Sequence, residues 1–253
     1  MFENIIKIPY TTSPDMKKYE GPIVNDNPLE FYLEAKQVEL ELIPGIVYES
    51  DIAIEKGLIK EVANALKLTS KINDITSLGL SIQEDIAIFY QGKLEAYFIA
   101  FPSGWNPSDK GGKTLKELHE PVADGEELRH MSDKITKLLS AKYSYHRYVW
   151  NVVPTGMLSM HPNYGIYDEN TDVEYASEKD LWFRLEHQTS LPLIPEQSFA
   201  FFINVDVLPF STLYLNDKYL ILDSINSMTN SILNYKNLNT VKQILNREII
   251  IPK

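Results

Sequence analysis

Asp85 to Phe101 reads DIAIFYQGKLEAYFIAF, and the fold class turns on this stretch. Asp85–Tyr90 and Leu94–Phe101 are rich in β-branched and aromatic residues, with Gln91-Gly92-Lys93 between them as a turn signal. The pattern predicts an antiparallel hairpin with Gly92 in the turn. Two strands alone are marginal in water, so the flanking sequence must supply partners for the sheet.

Downstream, EELRHMSDKITKLLSAKY (126–143) sets Leu128, Met131, Ile135, Leu138 and Leu139 on one helical face. Three strands are predicted next: RYVWNVV (147–153), LWFRLEHQT (181–189) and SFAFFINVDVL (198–208). Side chains alternate along a strand. Leu181, Phe183 and Leu185 therefore share one face, and Trp182, Arg184, Glu186 and Gln188 the other; Phe199, Phe201, Ile203, Val205 and Val207 line one face of the last strand. Residues 162–180 read as a polar surface loop, and the tail as helical over about 223–236 and 239–248. Upstream, a helix is expected from Pro28 to about Leu42, capped by Asn27, with Glu30 at the capping-box position and a stop at Pro44-Gly45. A second is expected over 55–68, with Leu58, Val62, Ala65 and Leu66 at helical spacing. Hairpin-linked strands with segregated helices predict an α+β fold on an antiparallel sheet.

Composition narrows the function. The 253 residues carry a formal charge of -11, without the basic footprint that nucleic-acid binding needs. No apolar run approaches the ~20 residues of a membrane span, and the start, MFENIIKIPYTTSPD, has no signal-peptide pattern. A soluble, cytoplasmic protein is the expectation. There is no cysteine, which excludes disulfides, thiolate metal sites, Cys-ligated Fe–S clusters and a cysteine nucleophile in these residues. Phosphate-binding glycine loops, H-E-x-x-H and G-x-S-x-G are missing too.

The chemistry-bearing residues each admit two readings. His119 ends a short helix just before Glu120-Pro121. It either caps that helix, where the dipole favours a cation, or serves as a ligand, since neutral imidazole is a common metal and haem ligand. Arg184, Glu186 and Gln188 are either the solvent side of a strand or the polar wall of a pocket. Arg147 and Trp150, three apart on a strand, point to opposite faces. Lys110 and Lys113 flank Gly111-Gly112 and read as solvated loop lysines or an anion site. Glu84-Asp85 reads as a solvated strand start.

The order of several blocks resembles one family, the haem-binding alpha subunit of haem-dependent oxidative N-demethylases. SIQEDIAIF (81–89) is similar to its Q-E-D step into a strand. FPSGWNPSDKGGKTLKELHEPV (101–122) matches its F-P-s-x-W-x-P-x-x-K-x-G and x-I-H-x-P-V blocks through Trp105, Lys110, His119 and Pro121. RYVW gives the R-x-x-W pair, Arg147 and Trp150; RLEHQT resembles R-x-E-R-Q-T; LNYKNL resembles a Y-K step at Tyr235-Lys236. The blocks run over about 80–236, leaving about 1–78 as a helical N-terminal extension.

The resemblance implies a single PAS-like haem-binding domain over 1–253. It implies non-covalent haem b, O2 as co-substrate, a small methylated amine as substrate, and electrons from a separate flavin/Fe–S reductase. It makes His119 the axial ligand to the haem iron and places Lys110, Arg147, Trp105 and Trp150 around the cofactor. Arg184, Glu186, His187 and Gln188 fall to the catalytic side. His187 stands where the family pattern has arginine, and it competes with His119 as a ligand. The alternatives are a PAS-like haem domain that senses O2 or NO or only binds haem, a haem N-oxygenase on the same scaffold, and a domain that keeps the fold and binds no haem.

Overall fold

The hairpin forms where the sequence puts it. In a computed structural model, which describes residues 2–69, 71–167 and 177–249, strands β3 (Asp85–Tyr90) and β4 (Lys93–Phe98) pair antiparallel. Gln91 and Gly92 between them both have positive φ, 47° and 81°, the conformation a tight two-residue hairpin turn requires. Five more strands complete an antiparallel sheet: β1 (Lys17–Lys18), β2 (Val47–Glu49), β5 (Tyr145–Val153), β6 (Trp182–Pro192) and β7 (Ser198–Pro209). Their spatial order is β1-β5-β6-β7-β3-β4-β2. The expected α+β class thus holds, as an open seven-stranded sheet with helices.

A short helix, α5 (Leu115–Leu118), and a longer one, α6 (Glu126–Leu139), sit between β4 and β5. They cover one sheet face, where Leu128, Ile135 and Leu139 bury against Phe89, Tyr97 and Phe199. On the other face Ile86, Ile88, Ala200 and Phe202 pack under α3 (Leu58–Ala65) and α4 (Ile75–Gly79) through Leu58, Val62 and Leu78. Further along, Trp150, Val152 and Phe183 meet the C-terminal helices α7 (Leu215–Asn226), α8 (Asn230–Tyr235) and α9 (Asn239–Glu248) through Ile221, Ile225, Ile232 and Ile244.

Several expectations need correction. The first helix, α1, runs Glu30–Leu42 with Leu29 as an uncapped N-cap, not Asn27. Asn25 Oδ1 takes the Asn27 N–H, and the Gln83 side chain takes the Leu29 N–H, so a distant residue does the local cap's work. The expected 55–68 helix is two, α2 (Asp51–Glu55) and α3, divided by Gly57 at φ 63°. Helix α6 stops at Leu139, and Leu138 is exposed rather than on the buried face. The tail helix begins earlier and breaks after Asn226. Of the expected 162–180 loop, 168–176 lie outside the described residues.

The largest revision concerns Glu84-Asp85, which is buried, not solvated. The Lys36 ammonium, 0% exposed, donates to the carbonyls of Gly79, Ile82 and Glu84 at 3.0, 3.1 and 2.5 Å and lies 3.9 Å from Asp85 Oδ1. The Asp85 carboxylate accepts the Ala100 and Phe101 N–H groups at 3.0 and 2.8 Å. One buried ion pair thus pins α1, the α4–β3 connection and the end of β4 together.

Candidate functional site

Register brings the polar residues of β5 and β6 together. Arg147 pairs across the strands with Gln188, and its Nε donates to Gln188 Oε1 at 2.7 Å. Gln188 Nε2 donates to Glu186 Oε2 at 2.8 Å, and the Ser103 hydroxyl donates to Glu186 Oε1 at 2.5 Å. Arg184 Nε donates to Ser103 Oγ at 2.7 Å and lies 3.6 Å from Glu186. Its other two nitrogens donate to the carbonyls of Leu158 and Phe101 at 2.6 and 2.7 Å. The solvent-side reading of this face is therefore wrong. Arg184 is 1% exposed and Gln188 buried, because the 101–103 and 158 segments fold over them. The result is a continuous chain, Arg147–Gln188–Glu186–Ser103–Arg184, with both Glu186 oxygens held from fixed directions.

His119 approaches the Arg147 end of this chain. It is the C-cap residue of α5, whose start is fixed by a Thr114–Glu117 capping box. Its Nδ1 lies 2.7 Å from the Leu115 carbonyl. A carbonyl only accepts, so Nδ1 carries the proton and Nε2 the lone pair. Burial, with the Arg147 charge nearby, holds the imidazole down to about 4 despite the opposing Leu115 contact. A neutral ring with one nitrogen fixed by a backbone carbonyl and the other bearing a free lone pair is what an imidazole ligand to iron requires. His119 thus ends the helix as a neutral donor to Leu115 rather than as the cation the dipole would favour, and its Nε2 is left as a candidate ligand atom.

That shift predicts an acid-labile fold. The unfolded histidine binds its proton near pH 6.5, whereas the folded one refuses it until about pH 4. Between those values the unfolded state binds more protons, so stability falls as pH drops. The loss is up to about 1.4 kcal/mol per pH unit and on the order of 3 kcal/mol in all. Buried carboxyls with raised values, such as Asp85, pull the opposite way. The clean readout is thus a comparison: His119→Gln should show a flatter loss of denaturant midpoint than wild type between pH 6.5 and 4.5.

The other expected residues scatter. Lys110 is paired with Asp109 at 3.0 Å on the surface loop, as is Lys113 at 3.2 Å, and Trp105 stands exposed. Trp150 points away from Arg147, into the core under the C-terminal helices. His187 projects from the face opposite Glu186 and sits in an aromatic cluster with His146, Tyr148 and Tyr19. Two clefts of about 390 and 490 Å³ lie elsewhere, and neither is lined by His119, Arg147 or Glu186.

Two further participants, Ser103 and Tyr10, were not singled out from sequence, and a third, Lys236, entered only through the family resemblance. Ser103 is an ordinary loop serine until the fold sets it between Arg184 and Glu186. Lys236 donates to the Trp150 carbonyl at 2.8 Å and lies over the Tyr10 and Trp150 rings. Burial pushes its ammonium down to about 8, against the pull of the Glu186 charge. Its only sequence signal was the Y-K step. Tyr10 comes from a segment with no motif at all.

A model of the family described as haem-dependent oxidative N-demethylase, alpha subunit-like, matches residues 49–246. No match was found among curated proteins. Among the described residues no helix is long and apolar enough to cross a membrane. The match runs from β2 into α9 and takes in His119 and the whole Arg147–Arg184 chain; the protein belongs to the haem-dependent oxidative N-demethylase alpha-subunit-like family.

Proposed function

We propose that the protein is a haem monooxygenase that removes a methyl group from a small methylated amine. The observation carrying this reading is the His119 imidazole, neutral, with its Nδ1 proton held by Leu115 and its Nε2 lone pair free. We assign His119 as the haem ligand and Arg147 as the cation beside the cofactor. Haem b bound there supplies an iron that activates O2 for oxidation of the carbon next to nitrogen. The PAS-like reading, as one domain, is supported by an antiparallel core that carries α5 and α6 between its strands.

Glu186 binds the protonated amine through charge and hands on protons during the reaction. Gln188 and Ser103 fix the two carboxylate oxygens, and Arg184 holds Ser103 and Glu186 in place. Conversion of a methylamine to the demethylated amine, formaldehyde and water takes O2, two electrons and two protons. These residues hold no cysteine for a cluster, so the electrons come from a separate flavin/Fe–S reductase.

The test is formaldehyde release from methylated amines by haem-loaded protein given O2 and a chemical reductant. Glu186→Gln is expected to keep the haem spectrum and lose turnover by about 10²–10⁴-fold. Turnover equal to wild type in that variant, or no formaldehyde from any methylated amine, overturns the reading.

A further inference from the structure

His146 and His187 stand together on the sheet face opposite Glu186, with His146 Nδ1 3.1 Å from His187 Nε2. We infer that this pair binds a single borderline divalent metal ion of the Zn²⁺, Ni²⁺ or Cu²⁺ class, independently of the haem reading.

The spacing fits a chelate. With metal–nitrogen bonds of ~2.0–2.1 Å, two nitrogens on one ion are about 2.9 Å apart at a square-planar corner and about 3.3 Å apart in a tetrahedron. The observed separation lies between these values, so the nitrogens already stand at chelating distance, and each ring has only to turn its lone pair from the other nitrogen to the shared ion. Both rings are also held in place. His146 stacks on Tyr19 at 4.5 Å and 20°, and His187 on Tyr148 at 4.5 Å and 17°. The rings stand at 84° to each other, so neither stacks on the other and the two facing nitrogens can turn toward a shared ion.

Protonation is favourable too. Without metal, one of the two facing nitrogens carries a proton and donates to the other. Moving that proton to the far nitrogen of the same ring leaves both imidazoles neutral and both lone pairs free. Burial already keeps both rings neutral, His187 down to about 4. Both are half-buried rather than sealed, so water can complete the coordination. No group of three metal-ligating side chains occurs among the described residues, and Lys17 opposes His146 across the strands. The site is therefore a two-ligand, exchangeable one.

The experiment is calorimetric titration of the full-length protein with ZnCl2 and with CuCl2, each with and without haem. One saturable equivalent is expected. His146→Ala and His187→Arg should each weaken binding by at least about tenfold, while His119→Ala leaves it unchanged. If either of the first two fails to fold, His187→Gln replaces it with the same expected loss. Absence of saturable binding, binding unchanged in the histidine-pair variants, or binding lost only in His119→Ala overturns the proposal.

Discussion

His119→Ala is expected to abolish stable haem binding, read as loss of the Soret band after haem titration, while His187→Ala keeps the band. Two features of the fold set the asymmetry. His119 offers a free Nε2 beside Arg147, with the proton fixed on the other nitrogen by Leu115. His187 lies across the sheet from Glu186, in an aromatic cluster with His146, Tyr148 and Tyr19. Removing only the partner behind a metal-ligating histidine costs about 10–100-fold in affinity, so losing the ligand itself costs on the order of 100-fold or more. Dithionite followed by CO would show whether the iron of the wild type keeps a position open to gases. A His119→Ala protein that retains a wild-type band, with the band lost in His187→Ala, reverses the assignment.

Lys36→Met should be the most damaging single change to stability. Methionine fills much the same volume but donates nothing. It strands the Asp85 carboxylate and three carbonyls in a buried site that now satisfies them. Burial alone already pushes the Lys36 ammonium down and the Asp85 carboxyl up, which shows how much the charged forms depend on each other and on their hydrogen bonds. Breaking one side of such a pair costs about 3–5 kcal/mol. In a chain of this size that lowers the melting temperature by roughly 6–20 °C. Asp85→Asn in the Lys36→Met background should recover part of the loss. A melting temperature within about 2 °C of wild type for Lys36→Met alone would show the pair to be dispensable.

Local signals carried the hairpin, the long strands and the amphipathic α6, because turn chemistry and periodicity act over a few residues. What escaped was set by distant partners. Gln83, 54 positions away, holds the N–H of the residue that starts α1, a long-range contact that the local Asn27-Pro28 signal could not show. Lys36 makes Glu84-Asp85 a buried anchor, but nothing near that pair in sequence says so. On β6 the alternation of Arg184, Glu186 and Gln188 was plain. Its meaning was not, because solvent and pocket faces look alike until the 101–103 segment is seen to cover them. His119 could be placed at a helix end from sequence, where a cap and a ligand were both open, and the family resemblance favoured the ligand. The Leu115 contact ties the ring to the helix end and leaves Nε2 for the proposed ligand role. Lys110, Trp105 and Trp150 matched the same resemblance, yet they are respectively ion-paired on the surface, exposed and turned into the core.

The strands β1 and β2 are only two and three residues long, yet they lie at opposite borders of the sheet, beside β5 and β4. Both come from the first fifty residues. Most of that segment precedes the family-matching region. Its value is protective: bare sheet borders are templates for another copy of the chain. A protein trimmed to residues 49–246 would uncover backbone donors and acceptors at Tyr145 and His146 of β5 on one side and at Tyr97 and Phe98 of β4 on the other. Because the trimmed protein also loses Lys36 from its buried pair with Asp85, it would be both less stable and prone to self-association through its sheet borders, even with the Arg147–Gln188–Glu186–Ser103–Arg184 chain retained.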